Sequence, residues 1–234
     1  MKNVLISIRP KWIEKIISGE KTIEVRKTAP EEVPFKAYIY CTRGGEIIYG
    51  DDKIFVTDNL KSLRKSPAME EAFKKHSNLT LWNGCVIGEF VCDKIEDFYC
   101  ASVPYQKENN LGYGRFVDNG VYKVDGWHEG IVFERNDRFM DSMLNNNDLK
   151  EMCLSAQEVF DYIGIGKHLY GLHISDLKIY EQPKELSEFY RPCPVKEKGD
   201  CLSCDCLADN DYGGVCTNNL TRPPQSWCYV EELK

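Results

Sequence analysis

The chain reads as an α+β protein: a small mixed β-barrel flanked by helices, with a cysteine-rich C-terminal extension. Three observations lead there. Short runs of alternating apolar and polar residues recur through the first 190 residues, bounded by Gly, Pro, Asn or Asp. Two or three segments between them carry helical periodicity instead. Six of the 11 cysteines fall in the last 42 residues, where the alternating runs stop. Strands with a few interspersed helices and no strict βαβ repeat favour a compact barrel. We place the barrel domain at 1–190, with 105–150 as a loop-rich insertion, and the extension at 191–234, packing back on the barrel.

The elements follow in order. Residues 3–8, NVLISI, alternate Val4, Ile6 and Ile8 against Leu5 and Ser7, as a half-buried strand does. Arg9-Pro10 ends it, and Pro10 suits the first position of a helix because its missing N–H has no partner to lose there. Trp12, Ile13, Ile16 and Ile17 then recur with helical period until Gly19 stops them. Thr22–Arg26 is the second strand, AYIYCT (37–42) the third and CVIGEFVCDKIEDF (85–98) the fourth. Residues 61–78 are charged and helix-prone, as a peripheral helix. Residues 105–150 are rich in Asn, Asp and Gly and read as surface loops around a hairpin. In LSAQEVFDYIG, Ser155 and Glu158 form a capping box that opens a helix. LYGLHISDLKIY (169–180) is the last strand before a proline-containing loop.

Composition narrows the function. The net charge of −7 leaves no broad basic face for gripping duplex DNA or RNA. Charge is uneven, however: residues 1–36 carry an excess of three positive charges and residues 193–234 an excess of three negative ones. A small anionic or polar ligand near the N-terminus fits better than an extended duplex. No apolar run approaches the ~18 residues a spanning helix needs, and the stretch before Arg9-Pro10 is too short for a secretory signal. The expectation is a cytoplasmic protein with no membrane partner.

The segment IISGEKTIEVRK concentrates the chemistry. On a strand, Thr22, Glu24 and Arg26 share one face while Ile23 and Val25 fill the other. Glu24 and Arg26 then pair across one pleat, and Lys21 stands at the entry. Ser7 and Arg9 lie on the polar parity of the first strand, so adjacency of the two strands would bring Ser7, Arg9, Lys21, Glu24 and Arg26 to one polar pocket. Arginine offers a planar fork for phosphate or for the acceptor edge of a base. A desolvated Lys21 beside Glu24 has the makings of an acid or base. The plainer reading is a surface salt bridge of little energetic worth, with Lys21 placed favourably near a helix C-terminus.

The run SIRPKWIEKIISGEKTIEVR resembles the N-terminal signature of the ASCH domain family, in which a strand, a Pro-started helix and a G-x-K-x-x-E-x-R segment follow one another. Gly19, Lys21, Glu24 and Arg26 match that pattern. CVIGEFVCDKIEDF stands where the family has its central Gly-bearing strand, and SAQEVFDYIG…HLYGLHISDLKIYEQPKELSEF is similar to its closing half, so the resemblance covers roughly residues 3–190. It implies a PUA-like barrel related to RNA-binding modules, with a cleft beside the motif. It also implies an alternative, because small bacterial relatives are amidohydrolases that deacylate N4-acetylcytidine with a lysine, a threonine nucleophile and a distant glutamate. Their lysine corresponds to Lys21, and their threonine falls at Glu24. A carboxylate does not replace a hydroxyl nucleophile. The expected partner is therefore RNA or a small nucleoside or nucleotide, held by Ser7, Arg9, Lys21, Glu24, Arg26 and Trp227. In the enzymatic alternative, which would break a C–N amide bond, Lys21 and Glu24 act as the acid/base pair with Thr22 as the nearby hydroxyl. A further alternative is a protein-interaction module using the 61–78 helix and the acidic tail.

Two histidines are weaker candidates. His173 shares strand parity with Gly171 and Ser175, and a lone histidine there reads as a structural residue. His128 sits beside Trp127 in the loop-rich region. In the tail, TRPPQSWCYVEEL is too apolar to be left in solvent, and it is expected to dock back with Gln225, Ser226 or Trp227 near the cleft mouth, where an indole can stack on a base. Cys41, Cys85, Cys92, Cys100 and Cys153 read as small buried hydrophobes. Cys193, Cys201, Cys204, Cys206 and Cys216 are the candidates for a structural zinc, four of them as ligands, with Cys201-x2-Cys204 as the one clean hook; free thiols are the alternative. No organic cofactor is expected. If zinc orders the tail, metal analysis of the purified protein under reducing conditions returns near-stoichiometric zinc, and its absence removes the idea.

Overall fold

The computed structural model describes residues 1–43, 46–50, 53–57, 80–103, 121–127, 130–135, 143–193 and 218–231. The expected 61–78 helix, His128 and Cys201, Cys204, Cys206 and Cys216 lie outside them. The chain divides into two compact units, one of residues 1–14, 35–90 and 176–234, the other of residues 15–34 and 91–175.

The first unit is built on a five-stranded sheet whose edge strand β12 (Ser175–Glu185) is followed by β7 (Cys85–Cys92) and then by β3, β1 and β13. Strand β1 (Lys2–Ile8) runs parallel to β3 (Phe35–Cys41), with Lys2 opposite Phe35 and Ile8 opposite Cys41. On its other side β1 pairs antiparallel with β13 (Trp227–Val230), Asn3 opposite Val230 and Ile6 opposite Trp227. The expectation of a half-buried β1 needs correction: Leu5 and Ile6, on opposite faces, are both fully buried. A strand with neighbours on both edges and apolar groups on both faces reads as a nearly continuous hydrophobic run. Leu5, Tyr38, Tyr40, Val86, Phe189, Leu220 and Val230 form one core cluster, with Tyr38 and Phe189 edge to face at 5.0 Å. Helix α1 (Pro10–Ile17) starts at the proline, and the Arg9 carbonyl accepts from the Trp12 and Ile13 amides. A separate three-stranded sheet, not expected from the sequence, joins β4 (Glu46–Gly50), β5 (Lys53–Thr57) and β6 (Thr80–Leu81) in the order β5-β4-β6.

The second unit carries a five-stranded sheet of order β2-β11-β8-β10-β9. Its strands are β2 (Ile23–Arg26), β8 (Ile95–Val103), β9 (Val121–Tyr122), β10 (Gly130–Arg135) and β11 (His168–His173), each antiparallel to its neighbours. Two helices, α2 (Asn146–Met152) and α3 (Ala156–Ile163), supply Leu149, Met152, Val159 and Ile163 to a core shared with Ile23, Val25, Phe98 and Phe133. The Ser155–Glu158 capping box opens α3 as expected from the sequence.

Several boundaries differ from the sequence-based expectation. The run at 85–98 is two strands, β7 (Cys85–Cys92) and β8, parted at Asp93-Lys94. The run at 169–180 is likewise two, β11 and β12 (Ser175–Glu185), parted at Ile174. No glycine or proline stands at either break to mark it in the sequence. Within 105–150, the described residues hold more than loops: β10 buries Ile131, Val132 and Phe133, and α2 is opened by Asn145, whose side chain accepts from the Asn147 and Asp148 amides. The expected mixed α+β composition is present, but neither five-stranded order closes on itself, so among the described residues the expected barrel is a set of open sheets. Among those residues no helix is long and apolar enough to cross a membrane.

Gly88 on β7 marks where β12 comes closest. A Cβ there would collide with the Lys178 carbonyl, a backbone atom that cannot swing aside. Gly88→Ala should therefore destabilise the protein by about 1–3 kcal/mol, read as a lowered urea midpoint with an unchanged slope.

Candidate functional site

The site begins where α1 stops. Gly19 takes a φ of +76°, and its amide and that of Lys21 return to the Ile16 and Lys15 carbonyls at 3.1 and 2.9 Å. This left-handed turn suits glycine, which has no Cβ to clash, and it reverses the chain into β2. The next residues are fastened to the end of α2. The Cys153 thiol donates to the Glu20 carbonyl at 3.3 Å, Lys21 Nζ donates to the Met152 carbonyl at 2.6 Å, and the Thr22 amide donates to the Glu151 carbonyl at 3.0 Å. The last carbonyls of a helix have no intrahelical donor; here β2's entry supplies two of them.

Lys21, Glu24 and Arg26 form one cluster. The Glu24 carboxylate lies between the two cations, with Oε1 accepting from Arg26 Nη2 at 2.8 Å and Oε2 3.6 Å from Lys21 Nζ. All three residues are buried, at 3%, 5% and 7% exposure. A surface salt bridge is therefore the wrong description. Burial lowers the pKa of Lys21 from its ordinary value; Glu24, and then Cys153, oppose that shift, while Arg26 adds to it. Taking three charges out of water is costly, and a buried ion pair often stabilises less than apolar residues of the same volume.

Of the other expected ligands, Ser7, Arg9 and Trp227 belong to the first unit. Ser7 belongs to the first unit, where its hydroxyl donates to the Pro224 carbonyl at 2.6 Å and its amide to the Ser226 carbonyl at 2.9 Å. Arg9, also in the first unit, is exposed at the start of α1. Trp227 is half-buried on β13 and meets Tyr229 edge to face at 5.3 Å. Thr22 precedes β2 with an exposed side chain, and its carbonyl accepts from the Ile174 amide at 2.9 Å. The second unit thus brings together Lys21, Glu24 and Arg26, with Thr22 beside them in sequence. Of the zinc candidates only Cys193 is described: it is buried, and its amide donates to Glu231 Oε1 at 3.2 Å.

A second charged cluster is one that sequence reasoning missed. Glu96 on β8 is buried, and its Oε1 contacts Lys94 Nζ at 2.5 Å, Arg135 Nη1 at 3.3 Å and His173 Nε2 at 3.4 Å. Arg135 continues to Asp148 Oδ2 at 3.1 Å and lies over the Phe98 ring at 5.0 Å. Asp148 in turn accepts from the Asn145 amide at the start of α2. His173 is thus part of a network rather than a lone structural histidine. The signal was present in the parity: Glu96 alternates with Phe98 and Cys100, both fully buried, so the same face had to carry it.

No family model matches the chain, and no curated protein matches it. Among solved structures, the crystal structure of ASCH from Zymomonas mobilis is similar at 17% identity with a TM-score of 0.38, covering 99% of this chain and 89% of that one. A tyrosine-to-phenylalanine variant of that protein gives 16%, 0.41, 99% and 92%, and a serine-to-alanine variant gives 16%, 0.42, 99% and 89%.

Both clusters have measurable consequences. Lys21→Ala leaves Glu24 with one cation and the Met152 carbonyl without its donor, so it should cost about 3 kcal/mol in urea denaturation. For Glu96, burial pushes the carboxyl up, but the contact with His173, the hydrogen bond from Lys94 and the Arg135 charge outweigh it and hold the pKa at about 2, against 4.5 ordinarily. A folded pKa below the unfolded one means stability that is complete above the unfolded value and lost as pH falls through the folded one. The size is up to ~3 kcal/mol, reduced because Lys94 is largely exposed and screened. Glu96→Gln should therefore flatten the stability profile between pH 4.5 and about 2, measured by urea midpoints across that window.

Proposed function

We propose that the chain binds RNA or a modified nucleoside or nucleotide at the Lys21–Glu24–Arg26 cluster. The observation that carries this reading is a carboxylate fixed between two cations, all three buried, on a strand at the end of its sheet. Such a cluster supplies both hydrogen-bonding senses in fixed positions. A carboxylate accepts from an exocyclic amine such as cytosine N4, and a guanidinium donates in a fork to ring nitrogens, carbonyl oxygens or phosphate. Because the groups already hold each other, little ordering cost remains for binding. The resemblance of G-x-K-x-x-E-x-R to the ASCH signature points to the same ligand class. The acidic net charge argues for a single-stranded or mononucleotide ligand rather than a duplex.

One observation favours a second reading. The lowered pKa of Lys21 suits a proton-transfer group, as the amidohydrolase alternative requires. In that reaction water adds to the acyl carbonyl of an N4-acylated cytidine, the C–N bond breaks, and carboxylic acid and cytidine leave with Lys21 relaying the proton. Glu24 in the place of the nucleophilic threonine makes binding the stronger reading.

Calorimetry with a panel of nucleosides, nucleotides and short single-stranded RNAs tests the proposal. Wild type should bind at least one, and Arg26→Ala and Lys21→Ala should weaken it tenfold or more, roughly the worth of one charge-assisted hydrogen bond. Equal binding by all three forms, or none, sinks the pocket. Release of free acid from N4-acetylcytidine, lost in Lys21→Ala, would move the conclusion to the enzyme.

A further inference from the structure

The sheet of the second unit has two faces. Ile23, Val25, Phe98 and Phe133 fill the face under α2 and α3. The opposite face carries Arg26 on β2, Tyr170 and His168 on β11, and Asp97 and Tyr99 on β8. The register aligns them in rows: Arg26 is opposite Tyr170, Tyr170 opposite Asp97, and His168 opposite Tyr99. Residues directly opposite in an antiparallel pair project from the same face.

We propose that Tyr99, His168 and Tyr170 form a stacking platform that takes successive unstacked bases of single-stranded RNA leading away from Arg26. This rests on the nucleotide-binding reading of the Lys21–Glu24–Arg26 cluster and extends it from one nucleotide to a strand.

The geometry carries it in three ways. First, the rings form a contiguous group: the Tyr99 and His168 centroids are 5.2 Å apart, and those of His168 and Tyr170 are 6.2 Å apart with planes only 18° from parallel. Second, two of its rings are open to solvent: Tyr99 is 37% exposed and the His168 side chain 41%, with Tyr170 half-buried beside them. Third, the platform is held in place. His168 Nδ1 lies 2.7 Å from Asp97 Oδ1, which fixes the imidazole plane. Burial, and then the Asp97 charge, raise the Tyr170 pKa, so its hydroxyl stays a donor at neutral pH.

Ring spacing also discriminates among nucleic acids. The 6.2 Å between His168 and Tyr170 is almost twice the ~3.4 Å rise of stacked bases. Successive bases therefore reach successive rings only in an unstacked strand, and the paired bases of a duplex do not. With a net charge of −7 the chain gains little from the phosphates overall, so stacking has to supply much of the affinity.

Fluorescence anisotropy with a short labelled oligoribonucleotide, alone and as a duplex with its complement, tests the platform. Wild type should bind the single strand in preference to the duplex. Tyr99→Leu, His168→Ala and Tyr170→Leu should each weaken single-strand binding by about five- to a hundredfold, the worth of one stacked base. Tyr99→Trp, at an exposed position, should keep or improve binding, which separates stacking from loss of fold. If the three ring variants bind like wild type while Arg26→Ala does not, the platform is overturned and the cluster reading stands. If wild type binds no oligonucleotide but retains a mononucleotide, the platform falls alone; if it binds neither, both fall.

Discussion

The organisation of the second unit depends on one amine. Lys21 Nζ donates to the Met152 carbonyl and lies against Glu24, so a single buried cation joins the end of α2 to the first strand of the sheet. The contact bridges 131 residues of sequence, and ordering two distant segments is entropically costly. It is offset by satisfying a helix-terminal carbonyl that otherwise has no donor, and by placing a cation where the helix dipole favours one. The flanking bonds from Thr22 to Glu151 and from Cys153 to Glu20 make the junction continuous over three residues on each side. Glu24, and through it Arg26, then inherit fixed positions. The geometry of the candidate site is thus a consequence of how β2 is anchored.

The same sheet handles charge differently on its two faces. On the helix-covered face, Glu96 takes Arg135, His173 and Lys94 as partners, and Arg135 hands the network on to Asp148 at the start of α2. That arrangement ties β8, β10, β11 and α2 together. The other face carries the Glu24–Arg26 pair and, in register with it, Tyr170, Asp97, His168 and Tyr99. One helix is thus held at both ends, with Asp148 engaged near its start and Met152 at its end. Buried ion pairs are poor sources of net stability but sensitive to geometry, so they specify where α2 sits more than they strengthen the fold.

Much of this architecture is legible in the amino-acid sequence. The Pro10 start, the Gly19 stop and the alternation of Ile23 and Val25 against Glu24 and Arg26 follow from local stereochemistry, and the fold contains all of them. So it does the capping box at Ser155 and Glu158. These are short-range signals, resolved within a few residues. Strand breaks at Asp93-Lys94 and Ile174 are not legible, because no glycine or proline punctuates them and strand-forming residues resume at once on the far side. The helix opening at Asn145 is hidden in an Asn-rich stretch that resembles loop, since asparagine serves as cap and turn alike.

What the sequence determined by itself is the local grammar of the site: which residues share a face of β2, what ends α1, and which residue types are available for chemistry there. Only the tertiary structure decided that Lys21 is buried against Met152, that Glu24 is shared between two cations, and that Ser7, Arg9 and Trp227 belong to a different unit from the cluster. It also decided that Glu96 and His173 are partners. The physical reason is range. Side-chain parity is fixed by backbone geometry over two residues, whereas burial and ion pairing depend on which distant segment arrives opposite, and a charged residue reads alike in sequence whether water or another charge becomes its neighbour.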